Sequence, residues 1–355
     1  MGDRLDQYRA KRDAARTPEP VPTAADATPR GNNDTFVIQQ HHARRLHWDL
    51  RLEREGVLVS WAVPRGIPRD PERNHLAVHT EDHPLEYADF HGDIPEGEYG
   101  AGRMHLFDRG TYETEKWRDD EVIVVLHGTR VAGRFVLFRT RGKDWMIHRM
   151  DPPEPGWTPM PQRIEPMLAA PASRLPADDE AWGYELRWPG VRAIAHIDGA
   201  QLRLLATDGD DIAGTFPSVR PIAEALAPTE CVLDGVIVAL GPDGGLRTEP
   251  LRPENAVAAT GRRRAARVPV LYVIFDLLWL EGRSTVELGY ADRRELLTEL
   301  GLANSHWQTP PHFAGGGSFA RQAAREQGLP GVVAKRLDAP YQPGRRTRTW
   351  LSVDV

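Results

Sequence analysis

The chain has 355 residues, of which 40% are hydrophobic and 27% charged, a composition normal for a globular protein of two ordinary domains. The formal net charge of −6 opposes a broad non-specific grip on nucleic acid, although it leaves room for one local site. The single cysteine, Cys231, excludes an internal disulfide, and no apolar run reaches the length of a membrane span. The start has no hydrophobic segment, so a cytoplasmic protein without a membrane partner is expected.

Residues 1–35 predict a short N-terminal helix followed by a flexible segment. The helix covers 3–16 and has little apolar face, which makes it marginal alone. The stretch TPEPVPTAADATPRGNND is rich in Pro, Ala and Thr, a composition typical of extended or disordered chain.

Residues 46–53 alternate strictly between apolar and polar side chains, the pattern of a half-buried strand. Upstream, Val37, Gln39 and His41 alternate in the same way, and residues 43–45 are expected to form the turn of a hairpin. Such a hairpin would bring Gln39 and His41 beside His47 and Asp49.

Two imidazoles and one carboxylate on adjacent strands can ligate a divalent transition metal, and this donor set suits Mn, Fe, Co or Zn. Arg51, two residues beyond Asp49, is spaced to clamp a phosphate through two hydrogen bonds. The alternative is an ordinary solvated strand face with salt bridges. From the residues alone, both interpretations stay open.

From Phe36 to Arg149, short strands separated by Gly and Pro predict a small β-barrel or sandwich over residues 36–150. Of the 13 histidines, ten precede residue 152, which favours this half as the site of metal chemistry. The segment 150–166 contains six prolines, so residues 151–165 predict a linker to a second domain, 166–355. The one basic cluster, RRRAAR at 262–267, is a candidate phosphate contact or a solvated loop.

The motifs QQHHARRLHWDLRLE, VSWAVPRG, LAVHTEDHPLEYADFHG and IPEGEYGAG resemble the 3′-phosphoesterase domain of bacterial non-homologous end-joining ligases (LigD). The resemblance implies a small β-barrel enzyme that uses Mn²⁺, or another divalent transition metal, to remove a 3′-phosphate or a 3′-ribonucleotide from DNA. It implies roles for two sets of residues. The metal ligands are His41, His47 and Asp49, and the remaining catalytic set is Arg51, His83, Tyr87, Gln39, Arg12, Asp13 and Glu19.

Within that set, the resemblance implies that Arg51 neutralises charge on the phosphoryl group. His83 is expected to hydrogen-bond the same group as donor or general acid, with Gln39 and Tyr87 positioning it. Arg12, Asp13 and Glu19 match family residues in a segment that folds over the site; the alternative is a mobile tail. On spacing alone, a histidine such as His83 is more often structural.

The second half resembles the nucleotidyltransferase core of ATP-dependent DNA ligases through YELRWPGVR, LDGVIVAL, YVIFDLLWLEG, PGVVAKR and TWLSVDV. The resemblance implies an α+β domain with antiparallel sheets, and it does not include the oligonucleotide-binding (OB) domain that ligases carry next. Arg187 stands at the family's lysine nucleophile and stays protonated, so it cannot attack ATP. The other substitutions at family positions are Pro189, Val236, Pro330, Ser352 and Asp354.

Four residues still match family positions for ribose, metal or adenine contacts: Arg192, Asp234, Phe275 and Lys335. They are either a degenerate nucleotide site, together with Arg187, or inherited core residues. Because Arg187 cannot attack ATP, the chain is not expected to use ATP.

The sequence leads to the hypothesis of a DNA 3′-end-processing phosphoesterase in end joining, with a ligase-like domain that has lost adenylation. DNA 3′ ends are the expected nucleic-acid partner, and end-joining proteins are candidate protein partners. One alternative is a non-catalytic scaffold that binds DNA ends. A less favoured one is an active ligase, which would need a replacement nucleophile.

Overall fold

The computed structural model describes residues 3–23, 31–153, 155–241, 245–247 and 269–355. The chain divides into two compact units, Met1–Pro155 and Gly156–Val355, each described here by itself. The basic cluster at 262–267 lies outside the described residues. Within the described part of the chain, no helix is long and apolar enough to cross a membrane.

The first unit is built almost entirely of strands. The α-helix found among its described residues, α1, covers Asp6–Ala10, and a 3₁₀ turn covers Leu85–Asp89. The strands are β1 Thr35–His42, β2 Leu46–Arg54, β3 Val57–Val63, β4 Asn74–His79, β5 His83–Pro84, β6 Gly92–Ile94, β7 Gly102–Trp117, β8 Glu121–Gly128, β9 Ala132–Arg141 and β10 Asp144–Arg149.

Eight of these strands close into a barrel in the order β1-β2-β3-β4-β10-β9-β8-β7, because β7 pairs back onto β1. The short strands β5 and β6 add to β3 and β7. Closure leaves no free edge along the eight-stranded path. The predicted barrel is confirmed.

The alternation in β2 sorts its side chains between the barrel interior and its outer face. Trp61 of β3 contacts Trp117 of β7 and Trp145 of β10, strands that are not its neighbours. The face of the sheet that carries Trp61 is therefore the interior of the barrel. Asp49 and Arg51 belong to the opposite face, yet they are only 5% and 2% exposed. The alternative of a solvated polar face is wrong there, because side chains of residues 5–19 and 81–100 cover it.

Among the described residues, the second unit has two sheets and three helices. The helices are α2 Ile222–Leu226, α3 Tyr290–Glu299 and α4 Gly317–Glu326. The strands are β11 Leu168–Ala172, β12 Trp182–Leu186, β13 Val191–Asp198, β14 Gln201–Ala206, β15 Cys231–Ala239, β16 Val270–Leu280, β17 Arg283–Ser284, β18 Trp307–Gln308, β19 Phe313–Ala314, β20 Gly331–Arg336 and β21 Arg346–Asp354.

One sheet has the order β11-β21-β20-β12-β19 and the other β14-β13-β15-β16-β17, with β18 added to β16. All pairings are antiparallel except β11–β21 and β16–β18. The α+β architecture with antiparallel sheets is therefore confirmed, with two parallel pairs at its edges. Part of the predicted linker packs on this unit, since the Trp279 indole N–H donates to the Thr158 carbonyl at 3.0 Å.

Candidate active site

The β1–β2 hairpin gathers three candidate metal ligands at one end of the barrel's outer face. His41 lies directly opposite His47 in the ladder, and Asp49 follows two residues later on the same face. His41 Nδ1 is 3.8 Å from Asp49 Oδ2, and His47 Nε2 is 3.7 Å from Asp49 Oδ1. One ligand atom from each residue lies within 4.8 Å of the others, so the three side chains are close enough to share one ion.

Backbone carbonyls set which imidazole nitrogen of each histidine is free to bind. His41 Nε2 lies 2.9 Å from the Gly100 carbonyl and His47 Nδ1 3.0 Å from the Arg45 carbonyl. A carbonyl only accepts, so these nitrogens carry the hydrogens, and the lone pairs of the other two nitrogens face Asp49. Burial lowers the pKa of His41, which favours the neutral imidazole that a metal requires. The donor set fits a divalent transition metal.

Arg51 is fixed beside this triad by all parts of its guanidinium group. Its Nε donates to Gln39 Oε1 at 2.7 Å, Nη2 to Asp49 Oδ2 at 3.0 Å, and Nη1 lies 3.0 Å from His83 Nδ1. The Tyr87 ring lies 4.8 Å from the guanidinium carbon. Because these contacts orient the planar group in advance, a buried positive charge stands next to the candidate metal ligands.

Gln39 and His83 connect this arginine to the loop after β4. The Gln39 amide donates to the carbonyls of Tyr87 and Phe90 at 3.0 and 2.8 Å, which leaves its oxygen facing Arg51. His83 is 4% exposed, and burial lowers its pKa well below the usual value, with Arg51 and Arg12 lowering it further. His83 is therefore neutral here, and an anionic group must arrive before it can hold a second proton.

The N-terminal segment lies over the same cluster. Arg12 donates to Glu19 at 2.8 Å, and its Nη2 is 3.4 Å from His83 Nε2. The Tyr87 hydroxyl also donates to Glu19, at 2.9 Å. The structure thus brings Arg12 and Glu19 to the site. Asp13 is exposed and accepts from the Ala15 backbone at 3.0 Å, which leaves it outside the network formed by the described residues.

Three further residues belong to this cluster and escaped the sequence analysis. Glu81 is 6% exposed and accepts from Arg12 at 3.1 Å and from Lys11 at 2.9 Å; those hydrogen bonds lower its pKa against the effect of burial. The Tyr8 ring stacks 3.8 Å from the Arg12 guanidinium carbon, and Ser60 Oγ lies 3.3 Å from His83 Nδ1. Only the register of β2 with β3, which places Ser60 beside Arg51, offered a signal in advance.

In the second unit, three of the four residues that match family nucleotide-site positions, Arg192, Phe275 and Lys335, line a cavity of about 320 Å³. Lys335 is 1% exposed and lies 2.8 Å from Glu185, between the rings of Phe275 and Trp350 at 4.3 and 4.2 Å. Burial lowers the pKa of Lys335. Aromatic walls and buried charges therefore remain at the positions that the sequence marked.

Three of the substituted positions form hydrogen bonds with a fourth, Arg187. The Arg187 guanidinium donates to the Pro330 carbonyl at 2.7 Å, to Asp354 at 2.6 Å and to the Ser352 hydroxyl. This arrangement, the Arg187 cluster, joins four of the positions at which the sequence departs from the family pattern. These departures thus form one hydrogen-bonded group.

Asp234, the residue at a family metal position, is also engaged. It is fully buried and accepts from Arg192 through both carboxylate oxygens and from the Tyr341 hydroxyl at 2.7 Å. Both oxygens thus accept hydrogen bonds from neighbouring side chains, with Arg192 stacked 4.6 Å from the Phe275 ring. All fifteen residues singled out from the sequence are thus located, and only Asp13 lies apart from its group.

Comparison with known proteins separates the same two regions. Residues 39–139 match the model of the DNA Ligase D 3′-phosphoesterase domain, and residues 166–353 match that of the ATP dependent DNA ligase domain. A solved structure described as mycobacterial DNA ligase D complexed with ATP and MES is 34% identical over 54% of this chain and 60% of that one, with a TM-score of 0.46.

Curated relatives align with nearly the whole chain. The multifunctional non-homologous end joining protein LigD of Mycolicibacterium smegmatis is 44% identical over 99% of this chain and 45% of its own length. The corresponding LigD protein of Pseudomonas aeruginosa is 31% identical over 98% of this chain and 47% of its own length. The chain spans a little under half the length of these two relatives. By sequence it belongs to the ATP-dependent DNA ligase family in its second unit and joins to it a 3′-phosphoesterase domain of the DNA ligase D type.

Proposed function

We propose that the first unit is a metal-dependent phosphoesterase that removes a 3′-phosphate or a 3′-ribonucleotide from DNA ends during end-joining repair. The observation that carries the proposal is the triad of His41, His47 and Asp49 with Arg51 fixed against it. The end-joining role is proposed because the curated relatives are named as non-homologous end joining proteins.

Charge balance supports a phosphate as the substrate group. The ionised side chains around the site comprise three carboxylates and three cations: Asp49, Glu19, Glu81, Arg12, Arg51 and Lys11. These charges cancel, and burial keeps His41 and His83 neutral. A divalent cation held by the triad leaves the site with two positive charges, which suits a phosphate monoester dianion.

The residues divide the work as follows. His41, His47 and Asp49 would hold Mn²⁺, which would supply Lewis-acid polarisation of a phosphate oxygen. Arg51 neutralises charge that develops on the phosphoryl group, and Gln39 fixes the plane of its guanidinium. His83 hydrogen-bonds the phosphoryl group, as donor or general acid, once the phosphate dianion offsets the effect of the two nearby arginines on its pKa.

The N-terminal segment adds a second arginine to the site. Arg12 faces His83 Nε2 and is held by two buried carboxylates, Glu19 and Glu81. Tyr87 ties Glu19 to the barrel side of the site. Arg12 thus supplies a second guanidinium whose position depends on that segment being in place.

The test is incubation of the purified chain with Mn²⁺ and 5′-labelled DNA that ends in a 3′-phosphate or a 3′-ribonucleotide. We expect release of the terminal group, none when a chelator replaces Mn²⁺, and none from matched DNA that carries only a 5′-phosphate. Intact 3′ ends after prolonged incubation with Mn²⁺ would overturn the proposal and favour a DNA-end-binding scaffold.

For the second unit we propose a ligase-like domain that does not adenylate itself. The supporting observation is the Arg187 cluster, which holds an always-charged arginine where the family has its nucleophile. The retained Lys335 and Asp234 are what an active ligase would share, and both are buried in ion pairs or hydrogen bonds. Incubation with labelled ATP and a divalent metal, followed by denaturing electrophoresis, separates an inactive domain from an active ligase.

A further inference from the structure

A second concave feature of the first unit lies inside the barrel, away from the metal triad. It is a cavity of about 260 Å³ at the end where β7 runs into β8 and β9 into β10. That volume is slightly below the range of small-molecule pockets, which starts at about 300 Å³, and suits a single planar ring system. Trp61 of this cavity pairs with Leu50, the residue between Asp49 and Arg51, so the candidate metal triad lies at a similar level of the strands but on the outer face of the barrel wall.

Aromatic rings form the wall of this cavity. Trp61 is at the centre, with ring centroids 6.5 Å from Trp117, 5.7 Å from Trp145 and 5.3 Å from His79. Burial lowers the pKa of His79 against the opposing effect of Asp82, so its ring is neutral and adds to the aromatic wall. The indole N–H of Trp61 is buried without a hydrogen-bond partner among the described residues. A buried donor of this kind is costly unless a ligand supplies an acceptor.

The charges at the rim select the kind of ligand. Three arginines line the cavity, Arg4, Arg118 and Arg139, against two carboxylates, of which Asp82 is already paired with Arg4 at 2.8 Å. Arg54 also stacks over Trp117, at 5.0 Å. Aromatic cages that take ammonium groups would be opposed by this positive excess. A planar, acceptor-bearing ring on an anionic backbone matches both wall and rim, which is the chemistry of a nucleobase in a nucleic-acid strand.

The cavity and the candidate active site share one short piece of chain. His79 and Asp82 line the cavity, while Glu81 and His83 belong to the active-site cluster. Four residues reach at most about 14 Å even when fully extended. With a rise of about 3.4 Å per nucleotide in a duplex strand, that distance corresponds to about four nucleotides.

We infer that this tryptophan cavity takes one unpaired base of a DNA strand within a few nucleotides of the 3′ end that occupies the metal site. The inference rests on the proposed function for the identity of that end. It makes the first unit selective for frayed or single-stranded 3′ ends, because a base must leave its stack to enter.

The experiment measures binding apart from catalysis. Fluorescence anisotropy of a 5′-labelled single-stranded oligonucleotide with a 3′-phosphate is recorded on the full chain with chelator present. Trp117→Ala, at a half-buried position, is expected to weaken binding about five- to a hundredfold, the effect of losing one stacked base. The matched control is Leu106→Ala, an exposed apolar position on the same strand.

A second variant guards against a folding defect. Arg139 is exposed on β9, so Arg139→Gln is expected to weaken binding without lowering the melting temperature, whereas Arg134→Gln on the same strand should not weaken it. Turnover of p-nitrophenyl phosphate, which has no neighbouring base, should be equal in Trp117→Ala and wild type.

The outcomes keep the two proposals apart. Wild-type affinity in both Trp117→Ala and Arg139→Gln would overturn the cavity inference, whether or not the chain releases a 3′-phosphate. Lost affinity in these variants, together with a wild type that leaves every 3′ end intact, would support the cavity and overturn the proposed phosphoesterase.

Discussion

Each unit holds a partly or fully buried arginine at the centre of its site, and the two arginines have opposite surroundings. Arg51 contacts Gln39, His83 and Asp49, while the second ring nitrogens of the two candidate metal-ligand histidines lie 3.8 and 3.7 Å from the Asp49 oxygens. Arg187 contacts Ser352, Pro330 and Asp354, and it joins these groups to one another. Arg51 lies beside candidate ligand atoms that still have lone pairs for a metal, whereas Arg187 forms hydrogen bonds with the groups that surround it.

The difference shows why a list of matching residues does not establish a site. Asp234 matches a family metal position, but both of its oxygens accept hydrogen bonds from Arg192 or Tyr341. Asp49 gives one oxygen to Arg51 and still faces two imidazole lone pairs. The two units therefore differ less in which residues they retain than in whether the candidate ligand atoms are already taken by hydrogen bonds within the protein.

The largest expected effect comes from removing Asp49. Asp49→Ala should lower 3′-phosphate release about a thousandfold or more, because the triad loses its only carboxylate. Activity at several Mn²⁺ concentrations and the melting temperature are measured together. Wild-type turnover under limiting metal would show that the ligand set is wrong. Asp93→Ala, an exposed carboxylate paired with Arg103, is the matched control.

Arg51→Lys should cost less, roughly a hundredfold in kcat. A lysine keeps the charge but cannot contact Gln39, Asp49 and His83 at once, so the group would no longer be fixed for the transition state. Steady-state kinetics on 3′-phosphate DNA separates the possibilities. A raised KM with unchanged kcat would reduce Arg51 to substrate positioning.

A smaller effect, about tenfold in kcat/KM, is expected for Glu19→Gln. This change removes one of the two carboxylates that hold Arg12 and weakens the acceptor of the Tyr87 hydroxyl. The control is Arg9→Gln in the same segment, whose partners Asp3 and Asp6 lie outside the site. Equal kinetics in both variants would support the view that the segment does not take part in catalysis.

Short strands separated by Gly and Pro predicted a barrel or a sandwich, and the resemblance implied the barrel. Strict alternation predicted the β1–β2 hairpin, because it fixes both strand and face. It also placed His41, His47, Asp49 and Arg51 together, since register follows from a short turn. Only the family resemblance implied that the N-terminal segment folds over the polar face, because a helix of five residues with one buried tyrosine has little signal of its own. Glu81 was missed because its role depends on a contact with Arg12, which lies 69 residues away in the sequence.

The Arg187 cluster was likewise beyond the sequence. Each substitution could be seen at its own position, and each looked like an independent loss. Only the pairing of β20 with β21 shows that Pro330, Ser352 and Asp354 lie around one side chain. Compensation between distant positions is visible only once the strands are in register.

The smallest expected effect is that of Arg187→Lys, for which we predict no gain of self-adenylation. A lysine there would be drawn to Asp354, and Val236 and Pro330 still supply no carboxylate for a catalytic metal. The test is incubation with labelled ATP and a divalent metal, followed by denaturing electrophoresis beside an active ATP-dependent ligase. The unfolding free energy should fall by no more than about 1 kcal/mol, since the Asp354 side chain is 82% exposed.

Three proteins are compared in this labelling experiment: the wild type, Arg187→Lys and a triple variant. A labelled wild type would show that the second unit has another nucleophile and is an active adenylating domain. A labelled Arg187→Lys alone would show that the missing carboxylates matter less than the nucleophile. Label confined to the triple variant Arg187→Lys, Val236→Glu, Pro330→Glu would instead show that the site was lost as a unit, because groups that act together on one phosphate restore little when returned singly.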